Sequence, residues 1–502
     1  MLRHCALAVM TVLGVAAASS RVGLARHRQP GPVLAVIHVN RVLPPLFDAP
    51  AGQVLIGDNG DRIRVIDLAS GRVRRTITLQ FPFYGFANPS MALDAPRRQV
   101  FVLCGPGYQT AGGSEADVPY LSAYDIPTGR LIRTVRIPGA HYYEASTVLA
   151  TNPRSGRVFV LIGDQEDIVR TTGYVSLATF DARTLRLTRL TRLQEQELNG
   201  DAQASSVQVA PRANRVFVAR YGADGIEMLD ATSGRLLRTT LPPALPNPSN
   251  IGTVEDLPIL DARLNRLYGV EDGLGGVVTI FDATSGRLLH SIFLDQRVGS
   301  LILDTHTRRL FVLQARAIRV LDAVTGRLVR TLRLPHPPPA LAGGVNPLHI
   351  GDGRRMSAGL IAIMPPNSDE NGLSGLVDDQ SGHVFVADAF VGIVGMYDNR
   401  DGRLLRTITF HRPDRPGGIG GIALDRQTGH LLVTDGEDAH LGGEAAGPGR
   451  LSVLDARNGA PLHSLHVGLG AIGIVVEQQS RRALVSNYDG YGALYVLDMG
   501  CL

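Results

Sequence analysis

The sequence contains no lysine and no tryptophan, and it has only three cysteines in 502 residues. Without tryptophan the chain cannot carry the Trp-Asp dipeptide that marks WD repeats. Cys5 belongs to the N-terminal apolar run, which leaves Cys104 and Cys501, and two distant thiols do not make a disulfide framework. We expect both to be isolated, buried small residues. The absence of Cys-x-x-Cys-His excludes c-type haem attachment.

Several catalytic motifs are also missing. The chain has no Gly-x-Ser-x-Gly elbow, no P-loop and no His-Glu-x-x-His. These motifs place a nucleophile, a phosphate cradle and a pair of zinc ligands, respectively. The common hydrolase and nucleotide-binding activities therefore have no support in this sequence.

The first 20 residues are typical of a secretory signal. Arg3 and His4 precede an apolar run at 5–18, and Ala16-Ala17-Ala18 offers a small-residue cleavage site. The run is too short for a comfortable membrane span, and we expect no integral membrane domain beyond it. Arginines in the linker 21–32, at 21, 26 and 28, would suit an uncleaved anchor. We predict an exported chain that is secreted, periplasmic or outside the cell membrane, and tethering stays open.

One pattern recurs along the rest of the chain. Its clearest copy is Leu229-Asp-Ala-Thr-Ser-Gly-Arg-Leu-Leu-Arg-Thr-Thr-Leu241, and other copies begin at Val65, Ala123, Ile280, Val320 and Met396. An apolar strand ends at aspartate, turn residues follow, and glycine supplies the left-handed conformation before an alternating strand returns. The pattern therefore predicts a β-hairpin whose Arg- and Thr-containing return strand is the outermost strand of a sheet.

Upstream of each hairpin lie an inner strand ending near aspartate, a tight turn and a second apolar strand such as 100–104 or 384–388. Four antiparallel strands in a repeat of roughly 40 to 60 residues indicate a β-propeller, which we place at 33–502. Counting the second strands gives nine units. The ring would have seven or eight blades if this count divides a single blade into two units. The strand at 33–39 has no earlier partner, so we expect it to complete the last unit and close the ring. We predict that residues 335–371 form a loop insertion that lies as a flap over the channel mouth.

The 50 basic side chains are all arginines, against 46 acidic ones. The arginines recur at fixed repeat positions, whereas a nucleic-acid groove requires a clustered basic patch. We interpret them as solvated strand edges and expect no nucleic-acid partner.

Segments such as Val384-Phe-Val-Ala-Asp388 and Ala483-Leu-Val-Ser-Asn487, followed by an Asp-x-x-Thr/Ser-Gly-Arg hairpin, resemble the YVTN-type β-propeller repeat family. That family is related to the streptogramin lyase-like and quinoprotein amine dehydrogenase-like propellers. The resemblance covers nearly all of the chain after the linker and implies the fold. It does not imply one activity, because such repeats occur in surface proteins, binding proteins and some enzymes. The tryptophan docking motifs of pyrroloquinoline-quinone propellers are absent.

The connections from second to third strands, and from one blade to the next, vary widely and open on one end of the ring, which we call the loop face. Variable loops on a rigid scaffold usually carry the binding residues. Aromatic side chains there would stack on a ligand or simply cover the blade tops. The ligand-binding residues that we predict are Phe83, Tyr84, Tyr142, Tyr143, Glu144, Arg220, Tyr221, Asp388, Asp435, Asn487, Tyr488 and Tyr491.

Acidic loop residues raise the question of a divalent ion such as Ca²⁺, which prefers hard oxygen ligands. Candidate ligands are Asp164, Glu166, Asp167, Glu437 and Asp438. None has EF-hand spacing, and we favour their interpretation as solvated loop carboxylates. We predict no cofactor otherwise. A histidine acid or base would be His141, His411 or His440, and nothing local distinguishes one of them.

Two functions remain open at this point. The first is a monomeric, non-catalytic scaffold that binds a protein, glycan or small molecule on the loop face. The alternative is a metal-assisted lyase or lactonase-type enzyme with its site at the channel mouth. The first requires no special residues and is the function we expect.

Overall fold

The computed structural model describes residues 32–39, 45–58, 61–82, 91–105, 119–137, 148–164, 172–197, 206–219, 226–241, 259–271, 276–296, 298, 300–314, 317–333, 373–388, 392–400, 402–410, 417–437, 448–487 and 493–502. The described strands form nine four-stranded antiparallel sheets arranged as the blades of a β-propeller. This confirms the predicted all-β fold and its nine units, and it excludes seven or eight blades.

Blades 1 to 5 follow one another along the chain, each with four consecutive strands numbered from the ring axis outwards. Blade 1 contains β2 (Leu46–Asp48), β3 (Gln53–Asp58), β4 (Arg62–Asp67) and β5 (Val73–Thr78); blade 2 contains β6 (Met91–Asp94), β7 (Gln99–Cys104), β8 (Tyr120–Asp125) and β9 (Leu131–Arg136); blade 3 contains β10 (Val148–Asn152), β11 (Arg157–Asp164), β12 (Thr172–Asp181) and β13 (Leu187–Glu197); blade 4 contains β14 (Ser206–Ala210), β15 (Arg215–Ala219), β16 (Ile226–Asp230) and β17 (Leu236–Thr240); blade 5 contains β18 (Ile259–Asp261), β19 (Arg266–Glu271), β20 (Val277–Asp282) and β21 (Leu288–Phe293).

Blades 6 to 9 continue the order, except that the last blade takes its outer strand from the start of the chain. Blade 6 contains β22 (Ser300–Asp304), β23 (Arg309–Gln314), β24 (Ala317–Asp322) and β25 (Leu328–Arg333); blade 7 contains β26 (Leu373–Asp378), β27 (His383–Asp388), β28 (Ile393–Asp398) and β29 (Leu404–Thr409); blade 8 contains β30 (Gly417–Asp425), β31 (His430–Glu437), β32 (Pro448–Asp455) and β33 (Pro461–Leu469); blade 9 contains β34 (Ala471–Glu477), β35 (Arg482–Asn487), β36 (Ala493–Asp498) and β1 (Val33–His38).

The first strands are the innermost, as predicted. They lie beside each other in successive blades, for example β6 next to β10 and β26 next to β30. Each blade therefore runs outwards from the axis in chain order. The turns from first to second strands and from third to fourth strands lie on one end of the ring, which we call the turn face. The loop face is the opposite end.

The core of the molecule lies between the blades. In β7, Val100 and Val102 pack towards blade 1, whereas Phe101 and Leu103 pack towards blade 3, because alternate residues of a strand point to opposite faces. The described residues form nine such apolar clusters, one at each junction including that of blade 9 with blade 1. Both faces of every sheet are thus covered, which explains the near-continuous apolar second strands.

The hairpin between the third and fourth strands forms as its sequence requires. In blade 4, Asp230 Oδ1 accepts hydrogen bonds from the amides of Thr232 (3.1 Å) and Ser233 (2.8 Å) and from the Ser233 hydroxyl (2.9 Å). Gly234 takes the left-handed conformation with φ 68°, and its amide donates to the Asp230 carbonyl oxygen. A Cβ at this position would collide with Thr179 Oγ1 of blade 3, so glycine is required by both conformation and packing.

The ring closes through β1, which pairs antiparallel with β36 from Val33 opposite Leu497 to His38 opposite Ala493. The predicted closure by residues 33–39 is confirmed. Arg482 reinforces the same junction from blade 9. Its guanidinium donates to the carbonyl oxygens of Leu68 (Nε, 2.7 Å) and Ala69 (Nη2, 3.1 Å) in blade 1 and to Asp498 Oδ1 (2.8 Å).

Within the described ranges, no helix is long and apolar enough to cross a membrane. The signal and linker residues 1–31 and the insertion 335–371 lie outside these ranges, so their predictions stand as they were made.

Candidate binding faces

The rim of the loop face includes polar residues at or near the ends of the second strands. At the corresponding position, blade 1 has Asp58, blade 6 has Gln314, and blades 7, 8 and 9 have Asp388, Asp435 and Asn487. Asp58, Gln314 and Asn487 are buried, whereas Asp388 and Asp435 are half-buried. Carboxylates and amides therefore follow one another around the rim in blades 7, 8, 9 and 1.

Asn487 holds the base of a loop. Its side chain is buried, Nδ2 donates to the carbonyl oxygen of Val467 in blade 8 (3.3 Å), and Oδ1 accepts from the amide of Ala493 (2.6 Å). These bonds join blade 8 to blade 9 and bring together the two ends of the connection between β35 and β36. This amide therefore fixes Asn487 and Ala493, which flank two predicted binding residues in the sequence.

Gln314 has the same function between blades 5 and 6, and sequence reasoning missed it. Its Nε2 donates to the carbonyl oxygen of Gln296 (2.7 Å), and its Oε1 accepts from Arg319 Nε (2.8 Å). Arg319 in turn forms an ion pair with Asp295. The signal that was available is positional, because Gln314 and Asn487 occupy the same place in their repeats.

The three carboxylates of the rim differ in their surroundings. Asp58 is buried and accepts a hydrogen bond from Arg64 Nη2 at 3.1 Å. Asp388 and Asp435 are half-buried; Asp388 ends β27, and Asp435 lies two residues before the end of β31. The Asp388 carbonyl oxygen accepts a hydrogen bond from the amide of Gly392. Asp435 lies opposite Arg450 of β32. An arc of acceptors of this kind suits hydroxyl, amide or cationic groups of a ligand.

Most of the predicted site residues lie outside the described ranges. These are Phe83, Tyr84, His141, Tyr142, Tyr143, Glu144, Glu166, Asp167, Arg220, Tyr221, His411, Asp438, His440, Tyr488 and Tyr491. In the sequence they fall between described strands. The stacking, acid–base and metal-ligand functions that we predict for them stay predictions.

Two candidate metal ligands fall at strand ends. Asp164 ends β11 opposite Tyr174, and Glu437 ends β31 opposite Gly417. These residues extend their strands towards the loop face. Among the described residues, no group of three or more His, Cys, Asp or Glu side chains is arranged to hold a metal ion. The Ca²⁺ prediction remains untested.

The turn face differs from the loop face in its uniformity and its charge. In seven blades the turn before the outer strand ends with an exposed arginine. We call this set the arginine rim: Arg72, Arg130, Arg186, Arg235, Arg287, Arg327 and Arg403. The carboxylates of these turns accept hydrogen bonds from the turn amides, as those of Asp181, Asp230 and Asp282 do. Partial burial raises the pKa of Asp230, but hydrogen bonds from Ser233 and Thr232 and the charge of Arg215 outweigh it, so the pKa lies below its usual value.

Other arginines of the repeat join neighbouring blades, which the interpretation as solvated strand edges did not foresee. Arg75 in blade 1 donates to the carbonyl oxygen of Thr128 in blade 2 (2.8 Å), and Arg133 in blade 2 donates to that of Thr184 in blade 3 (2.8 Å). These side chains leave the outer strand and cover the turn of the next blade. They are structural contacts, distinct from the arginine rim.

The two cysteines have different environments. Cys104 is buried, as expected, and its thiol lies 3.2 Å from Ser122 Oγ. Burial raises its pKa to about 11, so the thiol is unreactive at neutral pH. Cys501, by contrast, is exposed on the turn face, in the single helical turn Met499–Cys501 that follows β36, so the expectation of a buried residue was wrong there.

Comparison with known proteins gives likeness of fold. BamB from Moraxella catarrhalis is 12% identical, with 93% of this chain and 99% of that chain covered and a TM-score of 0.45. The dihydro-heme d1 dehydrogenase NirN, in complex with DHE, is 14% identical, with 89% and 82% covered and a TM-score of 0.47. Sqt1 from Saccharomyces cerevisiae is 12% identical, with 81% and 94% covered and a TM-score of 0.47.

No family model matches the sequence, and no curated protein matches it. The YVTN type of the predicted family therefore stays a prediction, whereas the β-propeller part is confirmed. Likenesses at this level carry no argument about activity. The assignment of this chain to the β-propeller fold rests on its own nine sheets.

Proposed function

We propose that this chain is an exported, non-catalytic scaffold that binds a protein, glycan or small molecule on its loop face. The observation that carries the proposal is the contrast between the two ends of the ring. On the turn face, the Asp-turn-Gly hairpin recurs with the same hydrogen bonds in blades 4, 5 and 6. On the loop face, connections range from residues 315–316 to residues 334–372.

We expect a ligand surface where the sequence stops repeating. Contacts that recur in every blade stabilise the ring, whereas residues that occur in only one blade are available for binding. The rim residues support this division. Asn487 and Gln314 tie the ends of connections to the neighbouring blade, and Asp388 and Asp435 lie half-buried at the loop-face ends of adjacent blades. Export is supported by the charge and apolar pattern of residues 1–20.

The experiment is a binding screen with matched variants. The purified chain is applied to a glycan array and analysed by native mass spectrometry for ligands retained from the exported fraction. The loop-face variant D388N/D435N is compared with the turn-face variant R130Q/R235Q, which removes the same number of charges. We expect the loop-face variant to weaken binding and the turn-face variant to leave it unchanged. Equal binding by both variants, or loss in the turn-face variant alone, would contradict the proposal.

A chelation arm addresses the metal-assisted enzyme. Thermal melting is measured before and after treatment with EDTA. A bound ion that stabilises the folded ring would lower the melting temperature on removal. We expect an unchanged melting temperature, and a large decrease would favour the lyase or lactonase-type alternative.

A further inference from the structure

The turn face presents cations outwards at its perimeter. Arg130, Arg235 and Arg327 lie at equivalent exposed positions in blades 2, 4 and 6, with further members of the arginine rim between them. The aspartates of the same hairpins stay charged, but a second arginine pairs with them, as Arg215 does with Asp230 (3.7 Å) and Arg266 with Asp282 (3.5 Å). The rim arginines therefore add positive charge beyond these pairs. These arginines are spaced regularly along the sequence, and the ring brings them together as a row of cations on one surface.

The N-terminal segment joins the ring at this same surface. The Pro32 carbonyl oxygen accepts a hydrogen bond from the amide of Asp498 (2.7 Å), and Val33 lies opposite Leu497. Asp498 stands at the turn-face end of β36, so the chain enters β1 from the turn face. The apolar run 5–18 and its flanking arginines precede this entry point in the sequence. The connection from this run to the ring is therefore made at the turn face.

The loop-face ends of the described strands are mixed in charge. Asp61 forms an ion pair with Arg62, Asp295 forms one with Arg319, and Asp435 lies opposite Arg450. On the turn face, by contrast, an exposed arginine recurs at the same position in seven blades. An anionic surface is therefore attracted to the arginine rim.

We propose that the turn face is a docking surface for anionic phospholipid membrane, with the arginine rim against the headgroup phosphates and the loop face directed away. Guanidinium groups are suited to this because they bind phosphate in a bidentate manner and remain charged. Each arginine near an anionic bilayer contributes about 1 kcal/mol, which decays over a Debye length. The inference is independent of what the loop face binds.

The test uses full-length chains, so that residues 1–31 are the same in every sample. Partitioning onto phosphatidylcholine vesicles with and without phosphatidylglycerol is measured for the native chain, for the rim variant R130Q/R235Q/R327Q and for the loop-end control R62Q/R136Q/R192Q. We expect the rim variant to partition on the order of 100-fold more weakly onto phosphatidylglycerol vesicles than the native chain, with the control changed by less than about threefold. Neutral vesicles report the contribution of the apolar run, which should be the same in all three proteins.

Orientation is measured with the native thiol of Cys501, which is exposed on the turn face. In a Cys5→Ser background, a polarity-sensitive fluorophore on Cys501 should shift to the blue on phosphatidylglycerol vesicles. The same fluorophore on Asp61→Cys, with Cys501→Ser, should not shift. Equal shifts at both sites, or equal weakening by the rim variant and the control, would overturn the proposal. Tight rim-dependent binding of random-sequence double-stranded DNA, with vesicle binding unaffected by the rim variant, would also overturn it and reassign the face to nucleic acid.

Discussion

Replacement of Arg482 by methionine should open the ring at its closing junction. The guanidinium makes two hydrogen bonds to backbone carbonyl groups of blade 1, and it pairs with Asp498, with the Arg482 side chain only 14% exposed. Methionine retains much of the apolar stem but none of the donors. We expect a loss of about 2–3 kcal/mol, less than the sum of the separate bonds because water reaches the turn carbonyls.

The matched control is Arg157→Met. Arg157 occupies the same position in blade 3, where Nε donates to the Thr232 carbonyl oxygen of blade 4 (2.8 Å) and Nη1 pairs with Asp181 (2.9 Å). Its contacts are therefore similar, but its junction is continuous in the chain and does not close the ring.

The assay is hydrogen–deuterium exchange followed by mass spectrometry of peptides covering β1 and β36. In Arg482→Met, amides of these strands should exchange roughly 30- to 150-fold faster, the factor that corresponds to about 2–3 kcal/mol. In Arg157→Met, exchange of β1 should match that of the native chain. Unchanged β1 exchange in Arg482→Met, or an equal increase in both variants, would refute the assignment of Arg482 to ring closure.

Three further predictions concern single side chains. The pKa of Asp230 is lowered in the folded ring, so the stability that its carboxylate contributes is present above the unfolded pKa near 3.9 and is lost as pH falls through the folded pKa. In urea titrations, Asp230→Asn should therefore lose less stability than the native chain between about pH 5 and 2. Burial, and then the charge of Asp304 in the neighbouring blade, raise the pKa of Asp379, while Arg426 and His306 oppose the shift. The stability that this pair contributes is therefore present in acid and is lost as pH rises through the folded pKa. Asp379→Asn should raise the melting temperature at pH 7 but not below the unfolded pKa, and a lower melting temperature at pH 7 would contradict this. Maleimide should label Cys501 rapidly at pH 7 and Cys104 only after unfolding, and rapid labelling of Cys104 in the folded chain would show that its burial is not maintained.

The parts of the fold that sequence could predict are those fixed by local chemistry. The pattern around Asp230 and Gly234 contains its own acceptor, donors and left-handed residue, so the hairpin follows from a short window. Ring closure was also predictable, because the last unit lacked a fourth strand and residues 33–39 lacked a partner. In both cases the repeat shows which residues need a partner and which partner is available.

The contacts between blades could not be derived in the same way. Arg75 donates a hydrogen bond to the carbonyl oxygen of Thr128 in the next blade. Whether the side chain reaches that oxygen depends on the distance and rotation between the two sheets. Periodicity in sequence records that an arginine recurs but not which neighbour it meets. For the candidate site the difficulty is greater, because each loop-face connection occurs once and has no second copy to compare. Only Asp388, Asp435 and Asn487 of the predicted binding set could be placed fully, at the strand ends where repetition stops.

The pairing of β1 with β36 also sets a condition on biosynthesis. Among the described strands, β1 leaves the ribosome before all others, and its partner β36 (Ala493–Asp498) leaves after them. Eight blades have their own four strands before β36 emerges, but blade 9 does not, so its junction with blade 1 stays open until then. Loss of residues 493–498 would leave β1 and β35 without their shared neighbour, and such unpaired strand edges are sites for aggregation and proteolysis. Closure of the ring is thus coupled to the synthesis of a single strand.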